Sequence, residues 1–308
     1  MKLAIIILNW NAAADTNRCV RAIQTWQHLS PTIYVVDNDS HDMERQSLAL
    51  TKNILDKKIN FIQNETNLGF AGGNNVAIRE AIKTHEFIFL LNNDAMITEA
   101  DLMRLIDTFH ETPPPTPSLQ RGRVEVGLVG TLLYSSHDHN QLLSAGGRDI
   151  IRHLNSHVLI PLGKKKPYHV DYIPGTAILI RSIVFQKIGL LDENYFFSGE
   201  IADLCMRAKL AGYQSVINPM TRAEHNLNRS AHQRQGLYIY YVIRNRFLFI
   251  HKFYSKRLDL YMFWLGYSVA LFLKMWLGKQ TITAHAIRLG LQDGLQGRFG
   301  GQNERILK

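Results

Sequence analysis

The chain of 308 residues is 46% hydrophobic and 20% charged, with a formal net charge of +9 and two cysteines. That composition fits one large α/β domain or two smaller ones, and it excludes a disulfide-stapled miniprotein, a collagen-like chain and a wholly disordered one. Cys19 and Cys205 make no CxxC pair and no metal knuckle, which points to a reducing, cytosolic compartment.

The opening MKLAIIILNWN holds an apolar run too short for a signal peptide and reads as a buried first strand. Lys2–Leu8, Thr32–Val36, Asn60–Ile62 and Phe87–Leu91 are short runs rich in Ile, Val and Phe. Between them Asp15–Gln27, Asp42–Asp56 and Gly73–Thr84 space their apolar residues as helices do. This alternation predicts a mostly parallel sheet with helices on both faces. The four runs end in Asn9-Trp10-Asn11, Asp37-Asn38-Asp39, Asn64-Glu65 and Asn92-Asn93-Asp94. Ligands of such sheets bind at the carboxyl ends of the strands, so these ends predict one polar crevice. Thr112–Ser118, with four prolines, reads as a surface loop, and strands resume at Val124–Tyr134 and Gly175–Arg181. His137–Pro174 is irregular and reads as loops, and Gly199–Leu210 reads as a helix closed by Ala211-Gly212.

The tail differs from the body. Residues 237–308 hold 11 Lys/Arg against three Asp/Glu, a balance of +8, while residues 1–236 are nearly neutral. Leu260–Leu273 is an uncharged run of 14 residues flanked by Tyr and Trp. As a helix it spans roughly 21 Å, short of a bilayer's hydrocarbon core. Such a segment suits a helix lying in a membrane interface, or else a buried core helix or an oligomer contact.

Five stretches then occur in order: IILNWN (6–11), VVDNDSHD (35–42), NLGFAGGNN (67–75), FLLNNDA (89–95) and GLLDENYFFSGEIADLCMRAKLAGY (189–213). Together they resemble glycosyltransferase family 2, the inverting nucleotide-sugar transferases with the GT-A fold, and most of all the branch of bacterial rhamnosyltransferases and related cell-surface polysaccharide enzymes. The resemblance implies a GT-A domain over 1–236, with a nucleotide-sugar-binding half (about 1–111) and an acceptor half (about 124–236). Residues 237–308 are then a helical tail.

The resemblance also implies roles. Asp37, flanked by Asn38, would accept the imide N–H of uracil or thymine, although an Asx turn explains the same residues. Asn9 and Asn11 would line the donor site with them. Gly69, Gly72 and Gly73 would let the backbone approach the donor, and Asn74 and Asn75 would open a helix at Val76 whose N-terminus faces the diphosphate. On residue types alone the same stretch is a tight turn with a cap. Asn92, Asn93 and Asp94 match the family's DxD metal site, with an amide in place of the first carboxylate. Mg²⁺ or Mn²⁺ would sit on Asp94 and on His225, which is otherwise a structural histidine.

Glu200, Asp203 and Arg207 share a helix face at i, i+3 and i+7. Ile201 stands where the family tends to place its base, so Glu200 is expected to be the base with Asp203 and Arg207 orienting it. The alternative is a surface ion-pair helix. Arg244-Asn245-Arg246, at the start of the tail, would clamp the diphosphate or meet a lipid phosphate.

The expected protein is a cytoplasmic, metal-dependent hexosyl- or rhamnosyltransferase at the inner face of the plasma membrane. It would use a UDP- or dTDP-sugar and a saccharide or polyprenyl-diphosphate-linked acceptor, without nucleic acid. The rivals are a catalytically impaired nucleotide-sugar-binding protein, suggested by Asn92 and Ile201, and a nucleic-acid-binding protein using the basic tail.

Overall fold

A computed structural model of the chain describes residues 2–54, 59–111, 125–147, 163, 165–226 and 235–307. The expected loop at Thr112–Ser118 lies outside the described residues. The fold is built on a mixed, mostly parallel sheet in the order β3-β2-β1-β4-β9-β6-β10-β5, with β7 beside β6 and β8 beside β10. The strands are β1 (Leu3–Asn9), β2 (Thr32–Asn38), β3 (Ile59–Asn64), β4 (Phe87–Leu91), β5 (Ala95–Ile97), β6 (Glu125–Ser135), β7 (Leu142–Ser144), β8 (Tyr168–Val170), β9 (Ala177–Arg181) and β10 (Tyr213–His225).

Near-continuous apolar strands form because both faces of the sheet are covered, and the strand period of two divides each run between two cores. Ala4 and Ile6 of β1, Ile88 and Leu90 of β4, and Ile178 and Ile180 of β9 face one core. Helices α3 (Gly69–Ala81), α5 (Ser182–Ile188) and α6 (Glu200–Leu210) close it. Leu3, Ile5, Ile7, Phe87, Phe89 and Leu179 face the other core, closed by α1 (Ala13–Gln24) and α4 (Glu99–Glu111). Helix α2 (Asp42–Ile54) follows β2.

β1 pairs in parallel with β2 on one side and β4 on the other, so the strand order reverses there. β4 and β6 both run antiparallel to β9, and β10 runs parallel to β6. The carboxyl ends of β1, β2, β3, β4, β6 and β10 therefore share one edge, with the switch point between Asn9 and Asn92, as ligand sites of open α/β sheets require.

Among the described residues four helices follow: α7 (Gln235–Phe253), α8 (Leu258–Leu277), α9 (Thr281–Gln296) and α10 (Asn303–Leu307). These helices are the expected C-terminal helical tail, and α7 joins it to the sheet. Its Leu248 and Phe249 belong to the same core as β1, β4 and α3, so the expected boundary at residue 236 coincides with no break in packing. Its Ile243, Phe247 and Ile250 pack on Leu260 and Trp264 of α8 and Ile287 of α9. Close approach of α7 and α9 depends on Gly290, where a methyl would sit 2.6 Å from the Tyr240 carbonyl oxygen.

α8 is longer than the uncharged run that predicts it, 20 residues with a mean hydropathy of 1.4, and only 17% of its apolar window is buried. Met262, Phe263, Tyr267, Leu273 and Trp276 are exposed along it. A contiguous apolar face of this kind on a soluble surface marks a contact with lipid or protein.

Candidate active site

The strand ends are stitched together before any ligand arrives. Asn9 is fully buried, and its Nδ2 donates to Asp37 Oδ1 at 2.9 Å and Ser40 Oγ at 3.0 Å. Its Oδ1 accepts from Thr16 Oγ1 at 2.7 Å, and that hydroxyl accepts from Asn93 Nδ2 at 3.0 Å. The chain Asp37–Asn9–Thr16–Asn93 thus ties β2, β1, α1 and the end of β4. Asn11, with φ of 51°, accepts from the His41 N–H at 2.8 Å. Asn38 donates to Asn67 Oδ1 and the Gly69 carbonyl and accepts from Asn64 Nδ2 and the Leu68 N–H.

Several expected donor contacts are therefore corrected. Asn9 and Asn38 are buried and brace the crevice from inside, while Asn93 is half-buried and joins the same network. Asp37 is fully buried against Asn9, with Arg45 Nε 3.6 Å from its Oδ2, while Asp39 beside it reaches the surface and pairs with the same arginine.

The Gly-rich segment is corrected more deeply. α3 starts at Gly69 and not at Val76, so Gly72, Gly73, Asn74 and Asn75 lie within its first two turns. The N–H groups of Phe70 and Ala71 point at the Phe196 carbonyl, at 2.6 and 3.4 Å, and the Gly69 N–H at Asn67 Oδ1. The orphan donors that would have met a diphosphate are satisfied within the protein. The glycines serve packing: a Cβ on Gly73 would lie 2.6 Å from Leu8 Cδ1, and one on Gly69, whose φ is +72°, would strike the Phe196 carbonyl. Asn74 bonds back to the Phe70 carbonyl, and Asn75 holds the 191–193 loop through Leu191 and Glu193.

Asp94 and His225 do come together. β5 pairs with β10 so that Ala95 faces His225, and the Asn226 N–H bonds the Asp94 carbonyl at 3.0 Å. His225 Nε2 then lies 3.2 Å from Asp94 Oδ1, a buried oxygen with no hydrogen bond of proper geometry. An orphaned carboxylate oxygen facing an imidazole nitrogen fits a shared divalent cation, and the nitrogen favours Mn²⁺ over Mg²⁺. Among the described residues no three His, Cys, Asp or Glu converge, so a cation here would draw its other ligands from solvent and the donor diphosphate. Asn92 is half-buried beside this pair, its N–H bonded to the Thr176 carbonyl at 2.9 Å.

Glu200 opens α6 behind the same edge. Thr176 and Gly175 precede β9, and a Cβ on Gly175 would lie 2.8 Å from Ile201 Cγ1. Ile201 is therefore a core residue of the helix start, 2% exposed, while its neighbour Glu200 carries the carboxylate. Glu200 is 6% exposed, and its Oε2 is buried without a partner. Burial raises its pKa to about 7, against hydrogen bonds from its own N–H and that of Ser198, with Asp203 adding to the rise. A carboxyl poised near neutral pH, with one free oxygen, has the properties of a general base.

Asp203 cannot share that task. It is fully buried, accepts from Arg207 Nε at 2.5 Å and pairs with Lys252 of α7, which also holds Asp192 at 2.7 Å. Arg207 completes the brace on the Ile188 and Leu190 carbonyls. Asp203 and Arg207 hold α6 against its surroundings, and the helix face is not a surface ion pair.

The loop before Glu200 is strained. Phe196, Ser198 and Gly199 have φ of 59°, 70° and 107°. Such backbone persists only when its surroundings over-determine it, and here α7 does so. Arg244 donates Nη2 to the Asn194 and Tyr195 carbonyls, each at 2.9 Å. Asn245 Nδ2 reaches the Tyr195, Phe197 and Ser198 carbonyls at 2.5–2.9 Å. Arg244 is fully buried, so its expected role as a diphosphate or lipid clamp is corrected to that of a loop anchor. Lys252 is not among the expected site residues, and Asn245 is expected only as part of an anion clamp. The available signal was a polar Arg-Asn-Arg and a lysine interrupting an otherwise apolar helix.

Comparisons with known proteins give the family and the fold. The model of the family described as Glycosyl transferase family 2 matches residues 4–188. The low-salt glycan biosynthesis hexosyltransferase Agl10 of Haloferax volcanii is 26% identical over 281 residues, covering 83% of this chain and 78% of that protein. Among solved structures, the mannosyltransferase PcManGT of Pyrobaculum calidifontis, in complex with GDP-Man and Mn²⁺, aligns with a TM-score of 0.58 at 12% identity over 96% of this chain and 87% of its own. GalNAc-T7 with UDP, GalNAc and Mn²⁺ aligns with a TM-score of 0.59 at 15% identity over 73% of this chain, which spans only 44% of that protein. S. aureus TarS 1–349 with UDP-GlcNAc aligns with a TM-score of 0.53 at 15% identity, covering 97% of this chain and 93% of its own. The fold is that of GT-A glycosyltransferases. The family match ends before Glu200 and His225, so the parts given to those two rest on the geometry above.

Proposed function

The chain belongs to glycosyl transferase family 2, and from that membership we propose that it moves a hexose-class sugar from a nucleotide diphosphate sugar to a saccharide hydroxyl with inversion at the anomeric carbon. The observation that carries this reading is Glu200: one carboxylate, buried, with a free oxygen and a pKa of about 7, at the ligand-binding edge of the sheet. Glu200 takes the proton of the acceptor hydroxyl as that oxygen attacks the anomeric carbon in line, and the bond to the nucleotide diphosphate breaks. Asp203, Arg207 and Lys252 fix the helix that carries it, and Arg244 and Asn245 fix its loop. Asp94 and His225 would hold Mn²⁺ or Mg²⁺, which would supply neutralisation of the charge on the departing diphosphate. The base is read at the Asp37–Asp39 strand end, with uridine or deoxythymidine as the nucleoside, and Asn11 and Asn92 line the floor between.

Nucleotide release from a panel of UDP-, dTDP- and GDP-sugars in the presence of Mn²⁺ tests the proposal. Release from at least one uridine or deoxythymidine donor is expected, and binding of donors without release would favour the reading as a catalytically silent protein, to which Asn92 and Ile201 point.

The exposed apolar face of α8 supports attachment to the inner face of the plasma membrane, where a lipid-linked saccharide would be the acceptor in glycan synthesis. The full chain is expected to sediment with anionic vesicles at low salt, and recovery of all the protein in the supernatant would contradict the attachment. Nucleic acid is a poorer partner, because exposed α8 is apolar and Arg244 is buried.

A further inference from the structure

Among the described residues, one arginine of the C-terminal helices keeps two buried N–H donors without an acceptor. Arg246 lies on α7 two residues beyond Arg244, and its guanidinium stacks on the Trp264 ring of α8 at 3.6 Å. The Tyr267 ring is 5.7 Å away. Stacking uses the flat face of the guanidinium and leaves its N–H groups pointing outward in the plane. Nε and Nη1 are nonetheless buried, and neither finds an acceptor. One turn along α8 from Trp264, Ser268 is fully buried, and its hydroxyl is also without a partner. Burial lowers Arg246 to about 10, so it remains charged at neutral pH. Arg246 is half-buried, and its two buried donors and the buried hydroxyl left open are costly, whereas Arg244, on the same helix, is fully buried with its donors met by carbonyls. An anion would satisfy the charged donors and the hydroxyl together.

The position of the niche names that anion. Outward lies the exposed apolar face of α8, with Met262, Phe263 and Trp276. Inward lies the base. Tyr238, two turns before Arg246 on the same stripe of α7, is half exposed, and its ring is 6.2 Å from that of Phe197, three residues ahead of Glu200. A ligand seated here has a hydrocarbon part, an anionic part and a part directed at Glu200, in that order.

We propose that Arg246, Trp264 and Ser268 form a subsite for the diphosphate of an isoprenyl-linked acceptor, whose hydrocarbon lies along α8 while its saccharide reaches Glu200. The guanidinium binds the diphosphate oxygens through paired N–H donors, the mode for which arginine is better suited than lysine. The subsite rests on the glycosyl-transfer reading for its purpose but not for its test, which measures binding without donor or turnover.

The experiment titrates the full chain with geranylgeranyl diphosphate in detergent micelles, with inorganic diphosphate, and with phosphatidylglycerol vesicles, for the wild type, Arg246→Gln and Arg246→Lys. Geranylgeranyl diphosphate is expected to bind the wild type at least tenfold more tightly than R246Q, with R246K between them and vesicle sedimentation unchanged. Equal affinity in R246Q overturns the proposal. So does a parallel loss of vesicle binding, which assigns the arginine to bilayer headgroups, or equally tight binding of inorganic diphosphate, which assigns it to a free anion. Melting temperatures report folding, and should R246Q not fold, R246K decides, unchanged affinity then counting against the subsite. A chain that binds the isoprenyl diphosphate but transfers no sugar leaves the subsite standing and removes the transferase reading, and an active enzyme that does not bind it does the reverse.

Discussion

Replacing Glu200 by Gln is expected to lower the rate of sugar transfer by about a thousandfold, the scale on which a positioned general base contributes, and to make the protein more stable above neutral pH. The two effects have one cause. The buried carboxyl has a pKa of about 7 in the folded protein against an ordinary value of 4.5. Below about 4.5 it is protonated in the folded and unfolded chain alike, and no penalty arises. Between 4.5 and 7 the folded state binds the proton that the unfolded state releases, so stability falls as pH rises through this window. Above 7 the charge is buried at full cost, about 3 kcal/mol on that difference. Gln keeps the shape and the hydrogen bonds from Ser198 and its own N–H without the charge. The melting temperature of E200Q should match that of the wild type near pH 4.5 and exceed it by roughly 5 °C at pH 8. Differential scanning calorimetry across that range checks the sign, and an E200Q protein equally stable or less stable at pH 8 would show that the carboxylate is not held at such a cost.

Replacing Asp94 by Ala is expected to cost about 10²- to 10³-fold in transfer, the scale on which loss of one charge-stabilising group acts, and to abolish any response to Mn²⁺. The fold should survive. What Asp94 gives the architecture is its backbone carbonyl, bonded to the Asn226 N–H, and alanine keeps that bond. The side chain contributes an oxygen that is buried, unbonded and 3.2 Å from His225 Nε2, so its removal strands no donor. His225→Ala should cost less, because the carboxylate remains to hold the cation. Calorimetric titration with UDP and Mn²⁺ separates the two: D94A should bind UDP equally with and without the metal. A D94A enzyme that still responds to Mn²⁺ would place the cation elsewhere.

The sheet was legible because β1 and β4 are buried on both faces, and LAIIILN and FIFLL state this without reference to any other residue. Their polar ends were legible too, since Asn and Asp after such a run have no place in a core. What those amides do was not. Asn9 and Asn38 look like ligand contacts in one dimension, yet each meets partners 28 to 31 residues away across neighbouring strand ends. The start of α3 was misplaced for a related reason. GFAGGNN has weak helix propensity, and the helix begins at Gly69 because the Phe196 carbonyl, far along the chain, caps it. The same strained loop explains Arg244 and Asn245. Charge counting assigns a basic tail to the surface, but a run of carbonyls turned inward at 194–198 draws the arginine into the core. Glu200 is legible in the sequence as the start of a helix, and Ile201 is explained by its contact with Gly175. Its unpaired oxygen and its elevated pKa come from packing alone.

The central claim is that a single buried carboxylate at this edge accepts the acceptor's proton. Its most direct test is the pH dependence of transfer at saturating metal and a limiting concentration of the donor found by the release screen. Because Glu200 must be ionised to act, kcat/KM of the wild type should rise about tenfold per pH unit at low pH and level off with an inflection near 7, and the residual activity of E200Q should lack that inflection. A wild-type profile that is flat between about pH 5.5 and 8.5, or an inflection that survives in E200Q, would contradict the account.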